Sequence, residues 1–333
     1  MTFHAAASSQ SRISLRSVVI AALGLGLLIA SVRQAGVATI ATSIQSVGFW
    51  FIAVVALGAA RMWARSAAWS TCSRAEHPEG LPIGAAFSAT LAADALGNLT
   101  PLGVLASEPA KVLLARRHLS TATSLSSVTV ENGFYTASVV AMLLGGVWVL
   151  LQRADVPPVI ERMGESVVVV SGLAVLLALW MFTTRPALIS RAGHLVARAI
   201  GRSGSAQAFE ALEQSVYDVV HWPASRLAQV MAWEAAFHVL AVLEVWLVLR
   251  VMPGGAAASI EDAFLMETTG RFITVAFKFV PYRLGIDEMG SGSVARLIGL
   301  GAPAGVALAL VRRVRILLLN ALGIALLARD RRA

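Results

Sequence analysis

The side chains best placed for chemistry are ionisable groups set inside apolar sequence. Between Asp94 and Arg117 (DALGNLTPLGVLASEPAKVLLARR), Asn98 and Thr100 stand just before Pro101, and Glu108 and Lys111 follow three residues apart on one helical face. The proline ring interrupts helical hydrogen bonding, which frees backbone carbonyls and amides for a ligand. Glu108 followed by Pro109 reads as a helix start, with a carboxylate near the positive helix end. Capping of that helix and pairing with Lys111 account for the same two residues. A second stretch, KFVPYRLGIDEMG, repeats the pattern: Pro281 and Glu288 are seven apart, as are Pro101 and Glu108, and lie 180 residues further on.

The second stretch is more basic. Glu267, Arg271 and Lys278 share a helical face, Arg283, Asp287, Glu288 and Arg296 follow, and Arg312, Arg313 and Arg315 interrupt an apolar run. From Glu267 to Arg315 seven basic residues (271, 278, 283, 296, 312, 313, 315) face three acidic ones (267, 287, 288), an excess of four. A charge at the bilayer centre costs a few kcal/mol or more unless it is paired or solvated. Some of these side chains can snorkel, but Arg312 and Arg313 would lie ~20 Å from the last arginines along a helix. An anionic partner is the simplest account, and arginine forks suit phosphate oxygens. Structural pairing among the charges is the competing account.

Glu234 and His238, four residues apart in an apolar run, can relay protons or simply hydrogen-bond inside a bundle. Glu131 with Asn132 is open in the same way. No third ligand at metal spacing accompanies Glu234 and His238, so a metal site is not expected. Nor is a cofactor: the chain has no phosphate-cradling glycine loop, no nucleophile elbow and no His-Glu-x-x-His motif.

The elements that position these groups must be membrane helices. Of 333 residues, 57% are hydrophobic and 14% charged, and the mean hydropathy is +0.74, far more apolar than a soluble domain. The predicted fold is all-α and polytopic, with six spans at about 15–33, 44–64, 122–151, 166–184, 227–250 and 303–328. Two further segments, about 81–117 and 261–300, are too polar to face lipid and read as re-entrant helical hairpins. Arg12 and Arg16 followed by the first apolar run also fit a cleavable signal peptide; the missing cleavage site favours a span.

Arginine sets the expected orientation. Segments holding Arg61, Arg65 and Arg74, then Arg116 and Arg117, then Arg185 to Arg202, and finally Arg329 to Arg332 should face the cytoplasm, with both termini. Most tryptophans, Trp69 among them, fall near predicted span ends, where indole prefers the interface. Residues 187–221 read as two amphipathic helices on the cytoplasmic surface. Two halves, about 15–151 and 166–328, each run span, span, hairpin, span. An odd number of spans turns the second half over, giving an inverted repeat within one domain. The net charge of +8 comes from arginines that punctuate apolar runs, so no nucleic-acid partner is expected. Cys72 is the only cysteine, which excludes an internal disulfide.

Gly97-Asn98-Leu99-Thr100-Pro101 leading to Ser107-Glu108-Pro109-Ala110-Lys111, and Pro281 with Leu284-Gly285-Ile286 and Glu288, resemble the lysylphosphatidylglycerol synthase transmembrane, or flippase-like, family. The resemblance implies a bacterial cytoplasmic-membrane protein that moves or handles phospholipids or polyprenyl-linked lipids. It also marks Thr100, Pro101, Glu108, Lys111, Pro281, Gly285 and Glu288 as functional positions. No synthase domain follows in the sequence, so lysyl transfer is not expected. Tyr282 and Arg283 stand where the family often has glycines. The expected function is translocation of a lipid with an anionic headgroup, bound by these residues with Asn98, Arg271, Lys278, Arg283, Arg312, Arg313 and Arg315. A lipid-modifying transferase and a non-catalytic partner of a lipid-synthesis enzyme are the alternatives.

Overall fold

A computed structural model describes residues 45, 47–99, 103–152, 158–200, 206–252, 258–277, 283 and 285–330. The first predicted span, Thr100, Pro101, Lys278, Pro281 and both termini lie outside the described residues. Among those described the chain is helical throughout, with no strand.

The first long helix, α1 (Phe51–Ser73), shows where the expected boundary fails. The predicted span ended at residue 64, but the helix continues to Ser73, because small residues keep its second half buried while their hydroxyls find carbonyls. Ser66 donates to Met62 O at 2.7 Å and Thr71 to Ala67 O at 2.8 Å. Arg61 and Arg65 therefore sit inside a buried helix, not in a cytoplasmic loop; their side chains are 4% and 17% exposed. Trp69 is corrected likewise. It is buried and donates Nε1–H to Ser127 Oγ at 3.0 Å, so it anchors a helix pair and not an interface.

The first predicted hairpin segment holds α2 (Ile83–Leu99) and α3 (Gly103–Leu114), which pack against each other. Pro109 lies within α3 and does not begin it, which removes the expected capping role of Glu108. Next come α4 (Thr121–Leu151), capped by Ser120 accepting from Thr123 N at 3.1 Å, and α5 (Pro158–Thr184). The short helices α6 (Leu188–Ile200) and α7 (Ala206–Asp218) form an antiparallel pair. Glu213 of α7 accepts from Ile189 N at 2.8 Å and Ser190 N at 3.3 Å, which satisfies open donors in the first turn of α6. Beyond them run α8 (Ala224–Val251), α9 (Ile260–Ala276), α10 (Ile286–Leu297) and α11 (Ala302–Asp330). Ser259 and Asp262 close a capping box at the start of α9.

Among the described residues four segments are long and apolar enough to cross a membrane: Gly48–Ser73, Thr121–Leu151, Gly164–Thr184 and Ala224–Val251. The 29-residue α11 has the length but carries Arg312, Arg313 and Arg315. Neighbouring helices recur in a pattern. Contacts of α1 with α2, α2 with α3, α3 with α4 and α1 with α4 are matched by α8 with α9, α9 with α10, α10 with α11 and α8 with α11. Helix α1 packs along α8, while α2 meets α11 and α9 meets α4.

Two apolar clusters hold opposite ends of α1. Val47 and Val54 pack with Ala263, Met266 and Ala295 of the second hairpin and with α8. Trp69 packs with Leu81, Ala86, Ala89 and Val112 of the first hairpin. At 1.5 Å per residue these clusters are ~20–30 Å apart along the helix axis. The helices of the second segment therefore pack near the start of α1 and those of the first segment near its end.

Candidate functional site

The buried charges lie between those clusters. Glu244 of α8 and Glu267 of α9, both fully buried, gather four arginines from three helices. Glu244 receives Arg315 at 2.5 Å, Arg61 at 3.4 Å and Arg312 at 3.8 Å. Glu267 receives Arg312 at 2.6 Å, Arg271 at 2.8 Å and Arg61 at 3.9 Å. Arg61 and Arg271 also lie over the Phe237 ring, each 4.8 Å from its centroid, where the quadrupole attracts cations. Gly58 makes room for this arrangement: a Cβ there would stand 2.5 Å from Arg315 Cδ.

Four arginines against two carboxylates leave this network two charges in excess. The sequence tally missed Glu244, which takes up two of the arginines it counted as surplus. It also missed Arg61, which restores part of the excess. Arg296 leaves the tally, being exposed on α10. The available signal for Glu244 was an acidic residue inside an apolar span.

A pocket of about 60 Å³ opens where the end of α2 meets α9, α10 and α11. That is room for roughly four or five water molecules, the scale of a phosphate group. Arg283, Arg312 and Arg313 line it with Asn98, Thr274, Ser291 and a single acid, Asp287. Asp287 accepts from Arg283 Nε at 3.1 Å, and Arg313 reaches Glu288 at 2.8 Å. Asn98 is held at the pocket by Asp94 at 3.0 Å and Asn320 at 3.4 Å.

Backbone geometry shapes the entrance to α10. Arg283 has φ +46°, a left-handed conformation that costs a side-chain-bearing residue about 1–2 kcal/mol relative to glycine. Its guanidinium is thereby set against the pocket. Gly285, at φ +79°, takes a left-handed conformation that a residue without Cβ adopts readily. The amide of Gly285 donates to Glu288 Oε2 at 2.9 Å, closing the first turn of α10.

The family model described as lysylphosphatidylglycerol synthase TM region matches residues 14–323. The chain belongs to that family. No curated protein and no solved structure matches it. Family membership, the all-helical fold and the four apolar helices make this a multi-pass membrane protein with a lipid-related function.

In this member of the family, Asn98, Arg283, Arg312 and Arg313 come together at one pocket. Glu288 stands behind it, while Arg271 and Arg315 belong to the network that holds Arg312. Glu108 and Lys111 lie elsewhere. Glu108 accepts from Asn132 at 2.8 Å and pairs with Lys111 at 3.3 Å. Beside them Glu131 binds Arg65 at 2.9 Å and Lys111 at 3.6 Å. This second network has two cations and two anions. Glu234 and His238 form a third group with Ser138. Among the described residues no cluster of His, Cys, Asp and Glu has metal-binding geometry.

Proposed function

We propose that the protein moves a lipid with an anionic, phosphate-bearing headgroup between leaflets. Its hairpins are re-entrant from the two membrane faces, and its halves are inverted copies. The observation that carries the reading is the pocket itself, where three arginines and one carboxylate line a space of phosphate size between the two hairpin regions. Their net charge of two has no counterpart in the charge-balanced network around Glu131. Recurrence of the same helix neighbours in both halves supports the repeat, and the apolar clusters at opposite ends of α1 support opposed entry. Transporters of this plan place their site where broken helices of two inverted halves meet.

The phosphate would take donors from Arg312, Arg313, Arg283 and Asn98, leaving the acyl chains in the bilayer. Charge-assisted hydrogen bonds contribute about 1.5–3 kcal/mol each, so one lost arginine should weaken headgroup binding by about 10- to 150-fold. The test is leaflet exchange of fluorescent phosphatidylglycerol in vesicles containing the purified protein, followed by quenching from outside. Faster exchange than in protein-free vesicles is expected, reduced in Asn98→Ala and Arg312→Gln. Exchange equal to protein-free vesicles would refute translocation. A chemically altered lipid found by mass spectrometry would instead establish a transferase.

A further inference from the structure

Away from the pocket, Ser138 of α4 sits between Glu234 and His238 of α8. Its Oγ lies 2.8 Å from the Tyr135 carbonyl oxygen, 2.9 Å from His238 Nε2 and 3.4 Å from Glu234 Oε2. A hydroxyl carries one hydrogen. The Tyr135 carbonyl and an ionised Glu234 are both pure acceptors, so Ser138 can satisfy only one of them. A hydrogen on Glu234 resolves the conflict: the carboxyl donates to Oγ, and Oγ donates to the carbonyl.

Burial points the same way. Glu234 is fully buried, and its Oε1 has no hydrogen-bond partner among the described residues. Among the described residues the nearby cations are already engaged: Arg65 and Lys111 by Glu131, Arg61 by Glu244, Arg271 by Glu267. A buried carboxylate without a cation is costly to keep charged. His238 Nδ1 is buried and unpartnered too. With Nε2–H donated to Ser138, that nitrogen is a vacant proton acceptor.

We infer that Glu234, Ser138 and His238 form a proton-binding site whose occupancy is felt at the anion pocket. The charged and titratable groups facing it are Cys72, Arg61 and Arg65 of α1, Lys111 of α3, Glu131 and Tyr135 of α4, and Glu267 and Arg271 of α9. The link to the pocket is continuous. His238 stacks on Tyr135 with ring planes 9° apart and centroids 6.4 Å apart. Tyr135 Oη accepts from Arg271 Nη1 at 3.1 Å, Arg271 pairs with Glu267, and Glu267 holds the pocket residue Arg312. Losing the proton from Glu234 places a negative charge at the head of this chain. Proton binding itself is independent of the translocation reading, whereas the coupling rests on it.

Two measurements test the inference. Difference infrared spectroscopy of the reconstituted protein during a pH step should show a protonated carboxylic acid signal that disappears in Glu234→Gln. That variant keeps the side-chain shape and supplies an N–H to Ser138. Absence of such a signal in the wild type, or its persistence in Glu234→Gln, overturns the site whether or not lipid moves. In vesicles, a transmembrane pH gradient should change wild-type phosphatidylglycerol exchange by at least threefold. Glu234→Gln and Ser138→Ala should retain exchange without that response. Wild-type exchange indifferent to the gradient would overturn the coupling and leave translocation standing. No protein-dependent exchange at all would remove translocation and the coupling together, leaving the infrared signal to decide the proton site.

Discussion

The two hairpin regions share a frame and differ in charge. In the first, Glu108 is tied to Asn132 of the following helix and to Lys111, and Arg65 and Glu131 complete a neutral set. In the second, Glu288 is tied to Arg313 of the following helix, and the network behind it holds four arginines on two carboxylates. The ion pairs between corresponding helices even change sign. Arginine on α1 meets glutamate on α4, whereas glutamate on α8 meets arginine on α11. One half is electrically finished; the other has its surplus beside a pocket. On the proposed function, the arginines that would hold the anion come from the second half, and the first half contributes Asn98.

The largest effect is expected from Glu244→Gln. It leaves Arg315, Arg61 and Arg312 buried around one remaining carboxylate, and breaking a buried pair costs about 3–5 kcal/mol. Thermal unfolding in detergent should show that loss. A next, smaller effect should come from Gly58→Ala, whose new Cβ displaces Arg315. Overpacking of this kind costs about 1–3 kcal/mol, and the same melting experiment measures it.

Replacing the paired glutamates sharpens the contrast. Glu288→Gln removes a negative charge beside the pocket and should tighten binding of short-chain phosphatidylglycerol by about tenfold, equivalent to about 1.4 kcal/mol. Glu108→Gln should leave that binding unchanged; calorimetry on both variants checks the pair. Equal shifts would mean that the halves share the anion. Smallest in stability is Arg283→Gly, which relieves the positive φ and should raise stability by up to about 1 kcal/mol while weakening the same binding. A gain in both would show that Arg283 does not face the ligand.

The all-helical membrane fold could be read from sequence, because apolar runs long enough to span a bilayer announce themselves. The matching Pro-to-Glu spacing at Glu108 and Glu288 was legible in the sequence, and each carboxylate is tied to the helix that follows it. Arg61 and Arg65 were not legible. A basic residue near a hydrophobic run looks the same whether it ends a span or meets a buried carboxylate, and the partner of Arg61 lies 183 residues away. Pro109 misled for a related reason: its ring disfavours a helix interior, yet α3 continues through it. Glu244 showed itself only as an acid inside an apolar span; its role was hidden because its partners come from α1 and α11, which only the folded chain brings to α8.

Arg61 and Arg65 stand one helical turn apart on α1 and reach in different directions. Arg61 grips Glu244 and Glu267, and Arg65 grips Glu131. Helix α1 is thus bolted both to its own half and to the opposite one. If translocation proceeds by rocking of one half against the other, that motion would have to undo the Arg61 contacts while Arg65 keeps its hold on Glu131. The strength of that fastening would then set how often the protein changes shape in the absence of cargo.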